Sequence, residues 1–249
     1  MIDVHTHILP GIDDGANDLL DAETLLRLES EQGVHEIVFT PHYYGKRTIG
    51  QFLYLRMQAV EKIRSFVPSD VKIRLGAEVL LKGVNDPGDD ALCALAIEGT
   101  KCVLVELPYR GKWSDRLFSR LSEFVSETGY TPVIAHVERY EECLQNPAVL
   151  TTMLEMGCLL QLNTCAFLMR ETKKFAFALM KKGMVHFLGT DAHNSQTRAP
   201  DYMQAKQAVE EAGLQAEWLR VQQTMRDVFA GKTPYRTVEK IRKLGKIYF

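Results

Sequence analysis

Two imidazoles one residue apart, His5 and His7, follow a short Met-Ile-Asp-Val run. Alternate residues of a strand project to one side, so both rings can reach a single metal ion. Further metal-binding side chains recur along the chain: Asp13-Asp14, His42 after Pro41, Glu78 after Gly76-Ala77, Glu106 after Val105, His136 after Ala135, and Asp191-Ala192-His193 after Gly189-Thr190. Most stand directly behind a short apolar run. A lone histidine or carboxylate beside a strand is ordinarily a satisfied polar group, and His35 and His186, each near the start of its own strand, are read that way. That reading does not account for a His-x-His, a His, two Glu, a His and an Asp-x-His at successive strand ends. Together they predict a polynuclear metal centre. Imidazole combined with carboxylate suits Zn²⁺, Mn²⁺ or Fe²⁺, whereas a calcium or magnesium site is almost purely oxygen.

Seven segments rich in β-branched or aliphatic residues carry these groups: Ile2–Val4, Glu36–Thr40, Val71–Leu75, Cys102–Glu106, Pro132–His136, Cys158–Leu162 and Val185–Gly189. Amphipathic helices are expected between them, over Leu19–Glu31 with Gly33 as its stop, Phe52–Phe66, Arg116–Glu127, Ala148–Met156 and Lys173–Lys182. Strict β/α alternation implies parallel strands joined by crossovers, and seven units suggest a TIM-like (β/α)7 barrel. An open doubly wound sheet also fits the alternation. Ligands after six of the seven strands, however, converge only if those strand ends ring a common centre. With no linker and no internal repeat, residues 1–249 read as one α/β domain.

Composition narrows the function classes. The chain has 249 residues, of which 46% are hydrophobic and 25% charged, and its formal charge is -2. Nothing in that total suggests a nucleic-acid footprint or strong membrane attraction. The five cysteines are an odd number without a Cys-x-x-Cys pair, which argues against a disulfide framework and for reducing surroundings. The metal motif begins where an export segment would stand, and no apolar run approaches the roughly 18–20 residues of a membrane span. A cytoplasmic protein without membrane insertion is expected.

The order of these residues from His5 to His193 resembles that of the polymerase and histidinol phosphatase (PHP) superfamily, a set of distorted seven-stranded barrels holding three metal ions. Four strings bring it closer to one branch, the bacterial protein-tyrosine phosphatases of capsular and exopolysaccharide synthesis: Met1-Ile2-Asp3-Val4-His5-Thr6-His7, Gly11-Ile12-Asp13-Asp14-Gly15, Ala135-His136-Val137-Glu138-Arg139-Tyr140 and Gly189-Thr190-Asp191-Ala192-His193. The resemblance implies one metal held by His5, His7, Glu78 and Asp191, with Glu78 bridging to a second metal completed by Glu106 and His136. Asp14, His42 and His193 would hold the third. Of the two adjacent acids Asp14 matches the family position, and Asp13 can instead orient a neighbouring histidine. Ligand types alone do not separate the ions. The reading adopts Mn²⁺, with Fe²⁺ or Zn²⁺ as alternatives.

Three divalent ions against four ligand carboxylates leave a centre of about +2, which attracts a phosphate dianion, and water activated there can attack phosphorus in line. Arg139 and Arg198 match positions that the branch uses for phosphate, where a planar guanidinium grips two oxygens. Tyr43, Tyr44 and Tyr109 lie just after strand ends and can stack on a phenol ring. The resemblance thus implies a metal-dependent phosphatase of protein tyrosine, acting on a bacterial tyrosine autokinase of polysaccharide export. A small-molecule phosphatase, for example of histidinol phosphate, and a metal-stabilised regulator without turnover are the alternatives.

Other motifs carry less. Cys165 and Arg170 do not have the spacing of a cysteine-dependent phosphatase, and Gly231-Lys232-Thr233 lacks the first glycine of a phosphate-binding loop, since Arg226 stands there. Arg236, Lys240, Arg242 and Lys243 are expected on the wet face of a short helix whose apolar side is Val238, Ile241 and Leu244, with a docking surface for an acidic partner as the sharper reading.

Overall fold

The computed structural model describes residues 1–81, 89–109, 111–234, 238, 240–245 and 247–249. Its parallel strands are β1 (Ile2–Thr6), β2 (Glu36–Phe39), β3 (His42–Tyr43), β4 (Lys72–Leu75), β5 (Glu78–Leu80), β6 (Cys102–Glu106), β7 (Thr131–Ile134), β8 (Leu159–Asn163) and β9 (Phe187–Gly189). The helices are α1 (Leu19–Glu31), α2 (Ile49–Ile63), α3 (Asp89–Leu95), α4 (Asp115–Thr128), α5 (Glu141–Gln145), α6 (Ala148–Glu155), α7 (Lys173–Lys181), α8 (Tyr202–Glu211) and α9 (Gln215–Phe229). A six-stranded parallel sheet, in the order β3-β5-β6-β7-β8-β9, curls into a half barrel beside a three-stranded parallel sheet, β1-β2-β4. The fold is therefore α/β with the expected alternation.

The expected second and third strands, Glu36–Thr40 and Val71–Leu75, are found as β2 and β4, and each is followed by a further short strand that was not expected, β3 and β5. Two residues separate β2 from β3, and two separate β4 from β5. The breaks run side by side, bridged by Gly76 N donating to Phe39 O at 2.9 Å and Glu78 N to Pro41 O at 3.1 Å. Beyond them the register resumes, with His42 opposite Glu78 and Leu80 opposite Glu106. At the other edge, Asp191 N donates to His5 O at 2.7 Å and His7 N to Ala192 O at 2.9 Å, tying the first strand to the segment after the last. The carboxylate of Asp3 strengthens that tie by accepting from both His5 N and Thr190 N.

The helices follow their sequence signals closely. Helix α1 is capped by the Asp18 side chain, which accepts from Leu20 N and Asp21 N, and it buries Ala22, Leu25 and Leu26. Helix α2 begins three residues earlier than expected because Thr48 and Gln51 form a capping box. Helix α4 turns Leu117, Leu121 and Phe124 inward. One contiguous cluster of buried apolar residues runs from Ile2 to Ile241.

The expected C-terminal helix is corrected. Arg236 lies outside the described residues, and the segment beyond forms an antiparallel hairpin of β10 (Lys243–Leu244) and β11 (Ile247–Tyr248). Ile241 is 1% exposed while Leu244 is 72% exposed, so the three apolar residues do not share one face. Gly245 takes the left-handed conformation, φ 60°, that the tight turn requires. No helix among the described residues is long and apolar enough to cross a membrane.

Candidate metal centre

All nine sequence-predicted ligand residues meet at one end of the parallel sheets, where β1, β2, β4, β7 and β9 finish and β3 and β5 begin. His5 leaves β1 and His7 follows it, His42 opens β3, Glu78 opens β5 and Glu106 closes β6. His136 stands just past β7, and Asp191 and His193 just past β9. Asp14 is supplied by the loop before α1. Donor atoms of these side chains lie within 4.8 Å of one another in four groups: His7 with Asp14, His42 and His193; His5 with Glu78 and His136; His5 with His7 and Asp191; and His42 with Glu78 and Glu106.

The spacing fits a cation. Nε2 of His5 lies 3.1 Å from Nε2 of His7, 3.2 Å from Glu78 Oε2 and 3.5 Å from Asp191 Oδ1, while His7 Nε2 is 3.3 Å from each of those two oxygens. Ligands bound tetrahedrally at about 2.0–2.1 Å stand about 3.3–3.4 Å apart, which is the spacing seen. His136 Nε2 approaches Glu78 Oε1 to 2.7 Å and Glu106 Oε1 to 3.9 Å. Asp14 Oδ1 lies 3.3 Å from His42 Nε2 and 3.6 Å from His193 Nε2. Glu78 Oε2 and His42 Nδ1 are buried 2.9 Å apart, and His193 Nε2 is buried without a hydrogen-bond partner among the described residues. Buried polar atoms left so carry a large desolvation cost, which a shared cation removes.

Electrostatics gives the same picture. Burial disfavours charge on every group, yet His5 and its neighbours hold the Asp191 and Glu78 carboxyls well below the usual range. Burial likewise opposes charge on His7, and Asp13 beside it nevertheless keeps the ring's pKa well above the usual imidazole value. His193, buried and next to His7, is pushed down to about 3. Burial opposes charge on His5 too, and the Glu78 and Asp191 carboxylates nevertheless raise its pKa. Asp13 does not face the cluster as Asp14 does. It accepts from Gly15 N and His42 N and pairs with His7 Nδ1 at 2.8 Å, which fixes the ring with Nε2 turned inward.

The backbone is shaped around these side chains. His136 and Asp191, at φ 32° and 54°, are the two non-glycine residues with positive φ among those described. Such conformations persist where the surrounding structure enforces them. A methyl group on Gly189 would fall 2.5 Å from His5 Cβ, and one on Gly15 2.0 Å from His7 O, so both positions require glycine's close approach.

Arg139 and Arg198 converge on Asp191 Oδ2, at 2.8 and 2.6 Å, from opposite loops at the rim. The three loop tyrosines part company. Tyr44 stacks on His42 with ring centroids 4.6 Å apart, and Tyr109 lies against His136 with its hydroxyl 3.3 Å from Nε2. Tyr43 packs instead against Phe52. His35, paired with Asp70, and His186, whose Nδ1 accepts from Leu160 N, belong to none of the four groups. The five cysteines are free.

Sequence reasoning missed the contribution of β8, the strand without a ligand. Gln161 Oε1 accepts from His136 N at 2.6 Å and faces His5 Nδ1 at 3.4 Å. Its amide group donates to Asn163 Oδ1, and Asn163 Nδ2 donates to Asp191 Oδ2 at 3.0 Å. The signal was present in Leu159-Leu160-Gln161-Leu162-Asn163, where two amides alternate with leucines in a wholly buried strand and so point to one side. Lys46 and Arg47 were also missed. They line a cavity of about 240 Å³ with His42, Tyr44 and Phe52.

Comparison with known proteins bears on this centre. The family model for capsular polysaccharide synthesis, CpsB/CapC, matches residues 1–220. The tyrosine-protein phosphatase YwqE of Bacillus subtilis is 31% identical over 205 residues, covering 80% of this chain and 79% of that protein. The tyrosine-protein phosphatase CpsB of Streptococcus agalactiae is 30% identical over 215 residues, covering 80% and 86%. A solved structure from work on YwqE of Bacillus subtilis and CpsB of Streptococcus pneumoniae, described as unique metal-dependent tyrosine phosphatases, matches with a TM-score of 0.83 at 25% identity. It covers 98% of this chain and 100% of that one.

Proposed function

The chain belongs to the CpsB/CapC family of capsular polysaccharide synthesis, and we propose from that membership and the site's geometry that it is a metal-dependent tyrosine-protein phosphatase. Convergence of five imidazoles and four carboxylates at one end of a parallel α/β sheet is the observation that carries the reading. In this proposal three ions, Mn²⁺ before Fe²⁺ or Zn²⁺, are held by the nine side chains. His5, His7, Glu78 and Asp191 serve the first, Glu78, Glu106 and His136 the second, and Asp14, His42 and His193 the third. The barrel counts seven staves when β2 with β3 and β4 with β5 are each taken as one broken stave. One domain carries the whole site, and its place of work is the cytoplasm.

Held by these side chains, the ions would supply Lewis acidity, lowering the pKa of a water nucleophile and offsetting phosphoryl charge. Arg139 and Arg198 bind the remaining charge, because both guanidiniums already reach the rim at Asp191 Oδ2 and a phosphoryl group arriving there meets both. The Tyr109 hydroxyl, 3.3 Å from His136 Nε2, stands where it can hydrogen-bond the leaving oxygen. Tyr44, 40% exposed, stacks on His42 with Lys46 Nζ 5.9 Å from its ring centroid, and stands where the substrate's phenol can meet it. The physiological substrate in this reading is a phosphotyrosine protein, a tyrosine autokinase of polysaccharide export.

The test is phosphate release from a phosphotyrosine peptide, a phosphoserine peptide and histidinol phosphate by protein stripped with chelator and reloaded with Mn²⁺. Hydrolysis restored by metal, favouring phosphotyrosine and lost in Asp191→Asn, is expected. Preference for histidinol phosphate would retain the centre and overturn the substrate.

A further inference from the structure

A second feature lies at the same end of the sheet. The chain leaves β8 at Asn163, whose amide reaches Asp191, and within a few residues comes Arg170, followed by Glu171, Lys173 and Lys174 at the start of α7. The opposite wall is the C-terminal hairpin. Lys243 Nζ and the Tyr248 hydroxyl both donate to Leu144 O of α5, at 2.6 and 3.2 Å, and the Tyr248 ring packs on Phe175. Helix α5 follows directly on the turn that carries Arg139. One wall thus follows the loop after Asn163, the other is anchored on the helix after Arg139, and they enclose a cavity of about 720 Å³.

Four cations against one carboxylate line this cavity, in a chain whose formal charge is -2. Arg170, Lys173 and Lys174 are exposed, and their side chains make no ion pair or hydrogen bond among the described residues. The partner of Lys243 is a neutral carbonyl. Unpaired like charges held in one cleft repel one another, and a ligand bringing carboxylates removes that cost and is steered toward the cleft. Leu168 and Met169, 40% and 48% exposed, add apolar surface just before Arg170. A walled cleft of this size suits an extended chain better than a flat membrane surface. Lys243 and Tyr248 lie beyond the residues matched by the family model, which end at 220.

We propose that the groove between the start of α7 and the C-terminal hairpin docks an acidic, Asp- and Glu-bearing segment flanking the phosphotyrosine of the protein substrate. The proposal rests on the phosphatase reading for the word substrate, and on the groove alone for the binding. It assigns Arg170, Lys173, Lys174 and Lys243 to recognition of the flank and leaves phosphate handling to the metal centre.

Two measurements separate the claims. The first is anisotropy of a labelled, unphosphorylated Glu-rich peptide with the metal-loaded full chain, compared with Lys173→Glu/Lys174→Glu. Binding that weakens at least tenfold in the variant and falls with salt is expected. The second is hydrolysis of phosphotyrosine peptides with acidic flanks at stepped distances, beside a neutral-flank peptide. One spacing should lower KM several-fold at unchanged kcat, and that advantage should vanish in the variant, whose rate on the neutral peptide stays at the wild-type value. Equal binding of the acidic peptide by both proteins, or a KM independent of flank charge, would overturn the groove and leave the phosphatase reading standing. Binding without hydrolysis of any phosphotyrosine peptide would overturn the phosphatase reading alone. Self-association of the chain lost in the variant, with no peptide binding, would make the groove a contact between copies and overturn the proposal.

Discussion

Gln161 shows how much of the centre depends on groups that need not touch a metal. One oxygen faces two ligand residues, the His136 backbone and the His5 ring, and its amide begins a relay through Asn163 to Asp191. A proton on His5 Nδ1 directed at this oxygen leaves the Nε2 lone pair for the cluster. Gln161→Met keeps the volume and removes the acceptor, leaving a buried N–H of His136 unsatisfied. The expected outcome is a stability loss of about 1–3 kcal/mol and metal affinity weakened about 10–100-fold, read by chelator competition. Unchanged affinity would assign Gln161 to packing alone. At this scale the ligands were legible because charged side chains after apolar runs are conspicuous. Amides inside a buried strand look like ordinary polar content until the neighbouring strand ends are known. The choice between Asp13 and Asp14 needed coordinates, since both share a loop and only the path of that loop turns one toward His7 and the other toward His42 and His193.

Among the elements, the closing contact of β1 with the segment after β9 determines whether the centre forms. Gly189 passes so close to His5 that any side chain collides with the strand bearing the first ligands. Gly189→Ala should cost about 1–3 kcal/mol by overpacking and, unlike a distant core substitution of equal cost, should also weaken metal binding. A variant that loses stability yet binds metal at wild-type strength would contradict this coupling. Five expected helices and the seven strand regions were legible from periodicity and caps. The short strands β3 and β5, which follow the second and third after a break, were not. A two-residue break such as Thr40-Pro41 or Gly76-Ala77 leaves almost no mark on periodicity, although proline and glycine are the residues that permit it. The C-terminal hairpin was misread because Val238, Ile241 and Leu244 have helical spacing, whereas spacing cannot show that the Tyr248 ring meets Phe175 and its hydroxyl donates to Leu144 O.

Across the whole molecule, charge is distributed unevenly. A formal charge of -2 conceals a buried cluster of carboxylates and imidazoles and, at the same end of the sheet, a groove with an excess of cations. The first needs metal for its balance and the second a partner, and neither could be read from totals. Fold and function both follow from strand ends that face one point, a property that composition cannot show and that the spacing of His5, His42, Glu78, Glu106, His136 and Asp191 could. The direct measurement is the number of Mn²⁺ ions bound per chain at saturation, by elemental analysis, followed alongside phosphotyrosine hydrolysis during titration of stripped protein. Three ions per chain, with turnover completed as the last one binds and abolished in Asp191→Asn, is the predicted result. One ion or none at full activity would contradict the polynuclear centre.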